Sequence, residues 1–267
     1  MNVLLSLGND LASSIALRYL SQQASDFPMT IQPLHIEEED KHFPLGTGWV
    51  KNTWKDTVVS SSEVEINNFI HNEIRFCRSL SPAITRIGDG EKQILKELQN
   101  GNYQLFAMGM LSSFSTKSFY DLLASELMTK ISCPVLLIKN LRDFGHVTLL
   151  CQKGMNINKL SREYLNMYGK ASVDLHLLHI EPDNTAREKV TRSEQVPVYL
   201  QEIGDALATN GCVPKTLNTL TGAPQPIADT LKDQGMIVSS FNRTKDQNSP
   251  FFDILAHVPT PVLLFWS

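Results

Sequence analysis

No apolar run in this 267-residue sequence approaches the ~18 consecutive residues that a membrane-spanning helix requires. No C-x-x-C pair is present either. Cys77, Cys133, Cys151 and Cys212 stand apart, which speaks against a zinc knuckle or a thioredoxin-like redox site. They are read as small buried hydrophobes with reduced thiols. There is no basic excess: Lys and Arg total 24, Asp and Glu total 28, and the net charge is −4. Nothing here would draw a nucleic-acid backbone non-specifically, so neither nucleic acid nor membrane is expected as a partner. The common catalytic signatures are missing as well. There is no G-x-S-x-G elbow, no H-E-x-x-H helix and no G-x-x-x-x-G-K-[ST] loop, so no catalytic residue is assigned and no enzyme is expected. The opening residues Met1 to Leu5 carry no basic segment and meet Gly8-Asn9-Asp10 at once. They read as a buried strand rather than a signal peptide, and the chain is expected in the cytoplasm.

What is present is an ordinary globular composition, 42% apolar and 19% charged. It excludes whole-chain disorder, collagen and coiled coil. The length suits one large or two modest domains. An internal repeat decides between them. Val3-Leu4-Leu5 resembles Val147-Thr148-Leu149, and Leu34-His35-Ile36-Glu37 recurs as Leu178-His179-Ile180-Glu181. Phe119-Tyr120-Asp121-Leu122-Leu123 recurs as Phe251-Phe252-Asp253-Ile254-Leu255, and Pro134-Val135-Leu136-Leu137-Ile138 as Pro261-Val262-Leu263-Leu264-Phe265. The matches keep their order while their separation shrinks, as in a duplicated domain whose second copy has shorter loops. The expected domains are 1–140 and 145–267, joined by a short polar linker from Lys139 to Gly145.

Within each half, apolar runs alternate with helical patterns. The first half predicts strands at Asn2–Leu7, Thr30–Ile36, Ala83–Ile87, Tyr103–Met108 and Pro134–Ile138. Helices are predicted at Leu11–Gln23, Val64–Leu80, Glu91–Gln99 and Ser118–Lys130. Asp10 stands where it can cap the first helix, and Asp89 lies just before the third. The second half predicts strands at Val147–Cys151, Val173–Ile180, Lys215–Leu220, Met236–Ser239 and Pro261–Phe265. Ile157, Leu160, Tyr164 and Tyr168 form a helical stripe between the first two. Near-continuous apolar strands between helices imply an α/β fold, with a parallel sheet covered on both faces.

Several segments sharpen this. Ile84-Thr85-Arg86-Ile87-Gly88-Asp89-Gly90-Glu91 reads as a strand, a Gly-Asp turn and a helix start. Tyr103 to Gly109 ends in Met-Gly, and Cys133-Pro134-Val135-Leu136-Leu137-Ile138 closes the half. In this ordered set each half resembles a universal stress protein domain, and the whole chain resembles a tandem universal stress protein. The second half is more diverged, keeping Gly222, Ile227, Leu231 and Thr260-Pro261-Val262-Leu263-Leu264. The resemblance implies two similar five-stranded parallel sheet domains, strand order 3-2-1-4-5, packed as a pseudo-dimer through their last strands. It also admits a homodimer and an unidentified protein partner.

Nucleotide-binding members of that family carry an Asp after strand one and a G-x-x-G-x9-G-[ST] loop after strand four. Glycines there let backbone N–H groups approach phosphate oxygens. This chain departs from the pattern. Gly109 matches the first glycine, Ser112 stands at the second, and Leu122 and Leu123 stand at the third and its neighbour. Gly8 occupies the Asp position, with Asp10 two residues later. The corresponding loop of the second half, Ser239 to Lys245, has no glycine. The expectation is therefore a non-catalytic stress-response or regulatory protein without the standard ATP site and without a cofactor. The alternative is an adenine-nucleotide sensor that binds ATP through an altered loop, using Gly8, Asp10, Gly109, Ser112 and Ser113. No metal site is expected. The acidic run Glu37 to Asp40, with His35 and His42, reads as a solvated loop, and His35 and His179 as a shared structural pair. The insertion Gly46 to Trp54 reads as a loop pinned by its own packing, able to lid a cleft or dock a partner.

Overall fold

The computed structural model describes residues 1–38, 49–74, 77, 79–111, 116–183, 189–242 and 249–266. The elements are, in order, β1 (Asn2–Ser6), α1 (Leu11–Asp26), β2 (Thr30–Glu37), α2 (Trp49–Glu73), β3 (Ile84–Ile87), α3 (Gly90–Asn100) and β4 (Leu105–Gly109). They continue with α4 (Thr116–Ala124), α5 (Glu126–Lys130), β5 (Val135–Ile138), β6 (His146–Cys151), α6 (Ile157–Tyr168), β7 (Asp174–Pro182) and β8 (Thr191–Ser193). The last are α7 (Val198–Thr209), β9 (Thr216–Gly222), α8 (Pro224–Thr230), β10 (Met236–Phe241), α9 (Pro250–His257) and β11 (Val262–Trp266). No described helix is long and apolar enough to cross a membrane.

The strand order is β3-β2-β1-β4-β5-β11-β10-β6-β7-β9-β8. The sequence implied two separate five-stranded sheets; the described strands instead form one eleven-stranded sheet. Both runs of five keep the order 3-2-1-4-5, as β3-β2-β1-β4-β5 and β9-β7-β6-β10-β11. The eleventh strand, β8, was not foreseen. It is three residues long and runs antiparallel on β9. What joins the runs is an antiparallel pairing of the two last strands, with Leu137 opposite Val262, Leu136 opposite Leu263 and Val135 opposite Leu264. In the repeat, Leu136 corresponds to Leu263, so the register is self-complementary, as in a two-fold contact. The reason is physical. Val135, Leu136, Leu137, Val262, Leu263 and Leu264 are all fully buried, and apolar edges of this kind aggregate unless they are covered.

The chain divides into two compact units, Met1–Gly109 with Glu126–Cys133, and Met110–Ser125 with Pro134–Ser267. The boundary expected at 140–145 thus falls inside the second unit, between β5 and β6. The single helix expected over Ser118–Lys130 is broken at Ser125, whose N–H turns back to the Leu122 carbonyl at 3.0 Å. Its two pieces, α4 and α5, belong to different units.

In the first unit, β1 pairs in parallel with β2 and with β4. Val3, Leu4 and Leu5 are fully buried, as a strand covered on both faces requires. α2 starts at Trp49, well before the expected Val64, and ends at Glu73 rather than Leu80. No glycine or proline interrupts residues 49–73, so nothing stops that helix early. Leu80 instead forms an isolated parallel bridge with Ile31. The Trp49 to Trp54 part of the expected insertion loop is therefore helical backbone; Gly46, Thr47 and Gly48 lie outside the described residues.

In the second unit, β6, β7, β9, β10 and β11 pair in parallel in the same pattern. Lys139, expected in a polar linker, is only 2% exposed. Its Nζ donates to the carbonyls of Leu255, Ala256 and Val258 at 2.5, 2.9 and 3.1 Å, closing the C-terminal end of α9. The ammonium also lies 5.0 Å from the Phe119 ring centroid. Tyr120 of α4 donates its hydroxyl to Asp253 of α9 at 2.7 Å. These two helices are the repeated Phe-x-Asp segments of the sequence.

Candidate functional site

In an open α/β sheet, ligands sit beyond the carboxyl ends of the strands. In the first unit that end is a cleft of about 280 Å³. Ser6, Leu7 and Gly8 come from the end of β1, Met108 and Gly109 from β4, Ile36 and Glu38 from β2 and its exit, and Gly90 and Ile94 from α3. The volume is at the low end of small-molecule sites.

The β1–α1 turn is held by its own side chains. Asp10 is the N-cap of α1, its Oδ1 accepting from the Ser13 N–H at 2.8 Å. The Gly8 N–H donates to Ser13 Oγ at 2.8 Å. Asp10 thus uses one carboxylate oxygen on the helix end, as the sequence anticipated. The β3–α3 turn is built the same way. Gly88 takes φ 132°, a conformation that favours glycine, and Asp89 caps α3 through the Lys92 N–H at 3.1 Å.

Gly109 has a different reason to be glycine. A Cβ there would lie 2.1 Å from the Ala12 carbonyl oxygen and 2.4 Å from its carbon. The missing side chain lets the end of β4 pack directly on the first turn of α1. Of the expected nucleotide-contacting residues, Gly8, Asp10 and Gly109 therefore meet in one cleft, while Ser112 and Ser113 lie outside the described residues. Sequence reading did not assign Ala12, Ser13, Glu38 or Ile94 to this site. Glu38 was read as part of a solvated run, yet it lines the cleft. Only its position one residue past a strand end could have marked it.

The cleft is acidic. Among the described residues its lining holds two carboxylates, Asp10 and Glu38, and no Lys, Arg or His. Close by, His35 Nδ1 lies 2.9 Å from the Leu7 carbonyl and Nε2 lies 3.3 Å from Glu37 Oε2. Both partners are acceptors, so both bonds form together only when the ring carries two protons. Ser62 Oγ donates to the same carboxylate at 3.2 Å. The second unit repeats the pair. His179 Nε2 lies 3.3 Å from Glu181 Oε1, Thr221 donates to that carboxylate at 3.3 Å, and His179 Nδ1 meets the Tyr199 hydroxyl. Among the described residues no group of three or more His, Cys, Asp or Glu is arranged to hold a metal.

In the second unit β6 ends at Cys151. Cys151 is fully buried, and burial pushes its thiol up to about 12. The turn continues through Gly154 at φ 88° to Asn156, which caps α6 through the Lys159 N–H at 3.1 Å. The loop after β10 lies mostly outside the described residues.

Two parallel runs of strand order 3-2-1-4-5, joined through their last strands, define a tandem α/β protein with its cleft over strands one and four. Solved structures share this architecture. One, a universal stress protein from Archaeoglobus fulgidus, superposes with a TM-score of 0.70 at 16% identity, covering 98% of this chain and 95% of that one. A functionally unknown protein from Pseudomonas aeruginosa gives 0.61 at 16% identity, over 99% of this chain and 92% of that one. A putative universal stress protein from Pseudomonas aeruginosa gives 0.59 at 16% identity, with the same two coverages of 99% and 92%. No protein-family model matches the sequence, and no curated protein matches it. The chain has the universal stress protein fold, in tandem.

Proposed function

We propose that this chain is a non-catalytic regulatory protein of the stress-response type, cytoplasmic, acting through binding to a protein partner and without a nucleotide cofactor. The observation that carries the reading is the lining of the first-unit cleft. A triphosphate needs glycine backbone open to its oxygens and nearby positive charge. Here the charged side chains of the described lining, Asp10 and Glu38, are both carboxylates. Two carboxylates without a described cation beside them weigh against ATP held in the usual way. With no nucleophile motif in the sequence and no metal cluster among the described residues, the fold is left as a scaffold for recognition.

One observation favours the second reading, an adenine-nucleotide sensor with an altered loop. The cleft has room at the N-terminal end of the 16-residue helix α1, where backbone N–H groups and the helix dipole attract anions. Assaying the heat-released supernatant of the purified chain for adenine nucleotide separates the two. The proposal expects none, and near-stoichiometric nucleotide would promote the sensor.

A further inference from the structure

The second unit carries another pocket, at the opposite, amino-terminal end of its strands. His146 opens β6, Asp174 opens β7 and Thr216 opens β9. The register places His146 beside Asp174, and sets Thr148, His176 and Thr216 in a row across three strands. Asp174 Oδ2 lies 2.6 Å from Lys215 Nζ and 3.5 Å from His146 Nδ1. His176 Nδ1 is 2.8 Å from Thr216 Oγ1, and the His146 and His176 ring centroids are 6.2 Å apart. The pocket has about 140 Å³, several water volumes, and its polar lining is Thr148, His176, Arg192, Thr216, Asn218 and Gln234.

The duplication supplies an internal control. The repeat pairs Leu34 to Glu37 with Leu178 to Glu181. Carried back along the strands, it sets Asn2, Thr30 and Gln32 where the second unit has His146, Asp174 and His176. The first unit holds them in the same register, Asn2 opposite Thr30 and Leu4 opposite Gln32. The fold therefore does not require charged residues at these places. In the second unit two histidines, His146 and His176, and two cations, Arg192 and Lys215, stand around these strand ends, with Asp174 the carboxylate among them. That carboxylate is taken by Lys215 and His146. Among the described residues Arg192 has no carboxylate partner. Burial and the neighbouring His146 hold the His176 imidazole below its usual range, with Lys215 and Arg192 adding to this and Asp174 opposing it. Arg192, lining a polar pocket without a described carboxylate, leaves positive charge there that a negative group would offset. A metal is the wrong occupant, since among the described residues no three ligating groups converge.

We propose that this pocket binds a small oxyanion of the phosphate class, with Arg192 and His176 as its cationic ligands and Thr216, Asn218 and Gln234 as neutral donors. Once His176 carries both protons, its Nδ1–H donates to Thr216, and the Thr216 hydroxyl is left to donate onward. Binding should then take up a proton and strengthen as pH falls from 8 to 6. His146, Asp174, Lys215 and Arg192 are the other titratable and charged groups facing this imidazole.

The test uses the full chain, with inorganic phosphate and phenyl phosphate as probes, followed by calorimetry and by the imidazole proton resonances. Phosphate is expected to raise the titration midpoint of His176. Affinity should fall about tenfold in Arg192→Gln, and likewise in His176→Gln, which installs the residue of the first unit. Arg192 is exposed, so its variant folds, and an unchanged melting temperature confirms that. Binding of inorganic phosphate alone assigns the site to the free ion; binding of phenyl phosphate assigns it to phosphate esters. Either supports the shared chemistry. An unmoved His176 titration with both probes, or equal affinity in Arg192→Gln and the wild type, overturns the proposal.

Discussion

Lys139 gives the fold a measurable dependence on pH. The group is 2% exposed, and burial pushes its ammonium from 10.5 down to about 7. In the unfolded chain it titrates near its ordinary value. Between about pH 7 and 10.5 the unfolded chain therefore binds one more proton than the folded one, and stability rises with pH, by about 1.4 kcal/mol per pH unit. Below pH 7 both states hold the proton and the slope vanishes. An opposing slope begins above about pH 9, the ordinary value of Cys151. Burial holds Cys151 up at about 12, and Tyr103 and Tyr199 also sit at about 12, so the folded chain keeps protons that the unfolded chain releases. The clean window is therefore roughly pH 7.2 to 8.8. Urea unfolding at three pH values in that window, for the wild type and Lys139→Met, isolates the group. Methionine keeps an unbranched stem but leaves the Leu255, Ala256 and Val258 carbonyls without their donor. The stability difference between the two proteins should grow by about 2 kcal/mol across the window. A difference that stays flat would refute the reasoning, showing that the three carbonyls hold the proton against burial.

Other consequences are simpler to check. Gly109→Ala brings a methyl to 2.1 Å from the Ala12 carbonyl, so α1 or β4 must shift; a loss of about 2 kcal/mol, read as a lower melting temperature, is expected. Leu263→Ala should cost about 3 kcal/mol, and Leu263→Lys more, because the side chain is fully buried opposite Leu136; unchanged urea midpoints would contradict the β5–β11 pairing. Cys151 should resist iodoacetamide at pH 8 in the native chain and react once unfolded, since its thiol is buried and protonated.

Much of the fold was legible because parallel strands buried on both faces leave continuous apolar runs. β1, β5 and β11 were found within a residue or two from that signal alone. The repeat then revealed the duplication, and the proline-led apolar edges Pro134–Ile138 and Pro261–Phe265 revealed the pairing. What the sequence hid was tertiary. A helix start at Trp49 has no cap signal that periodicity alone could isolate. The break at Ser125 follows from the two pieces packing in different units. Lys139 reads as linker charge until α9 supplies three carbonyls from more than a hundred residues away. In the cleft, Gly8, Asp10 and Gly109 were legible from the family pattern. Glu38 was hidden because an acidic residue past a strand looks the same whether it faces solvent or a cleft. The amino-terminal pocket was hidden because its His and Arg residues lie in separate strands, and only the comparison with Asn2, Thr30 and Gln32 marks them as unusual.

Calorimetric titration of the intact chain with magnesium ATP tests the central claim most directly. The account predicts no saturable heat at micromolar nucleotide, because the charged groups of the described cleft lining, Asp10 and Glu38, are both carboxylates. One-site binding at low micromolar affinity, weakened by Gly109→Ala or Ser112→Ala, would contradict it and make the chain a nucleotide sensor.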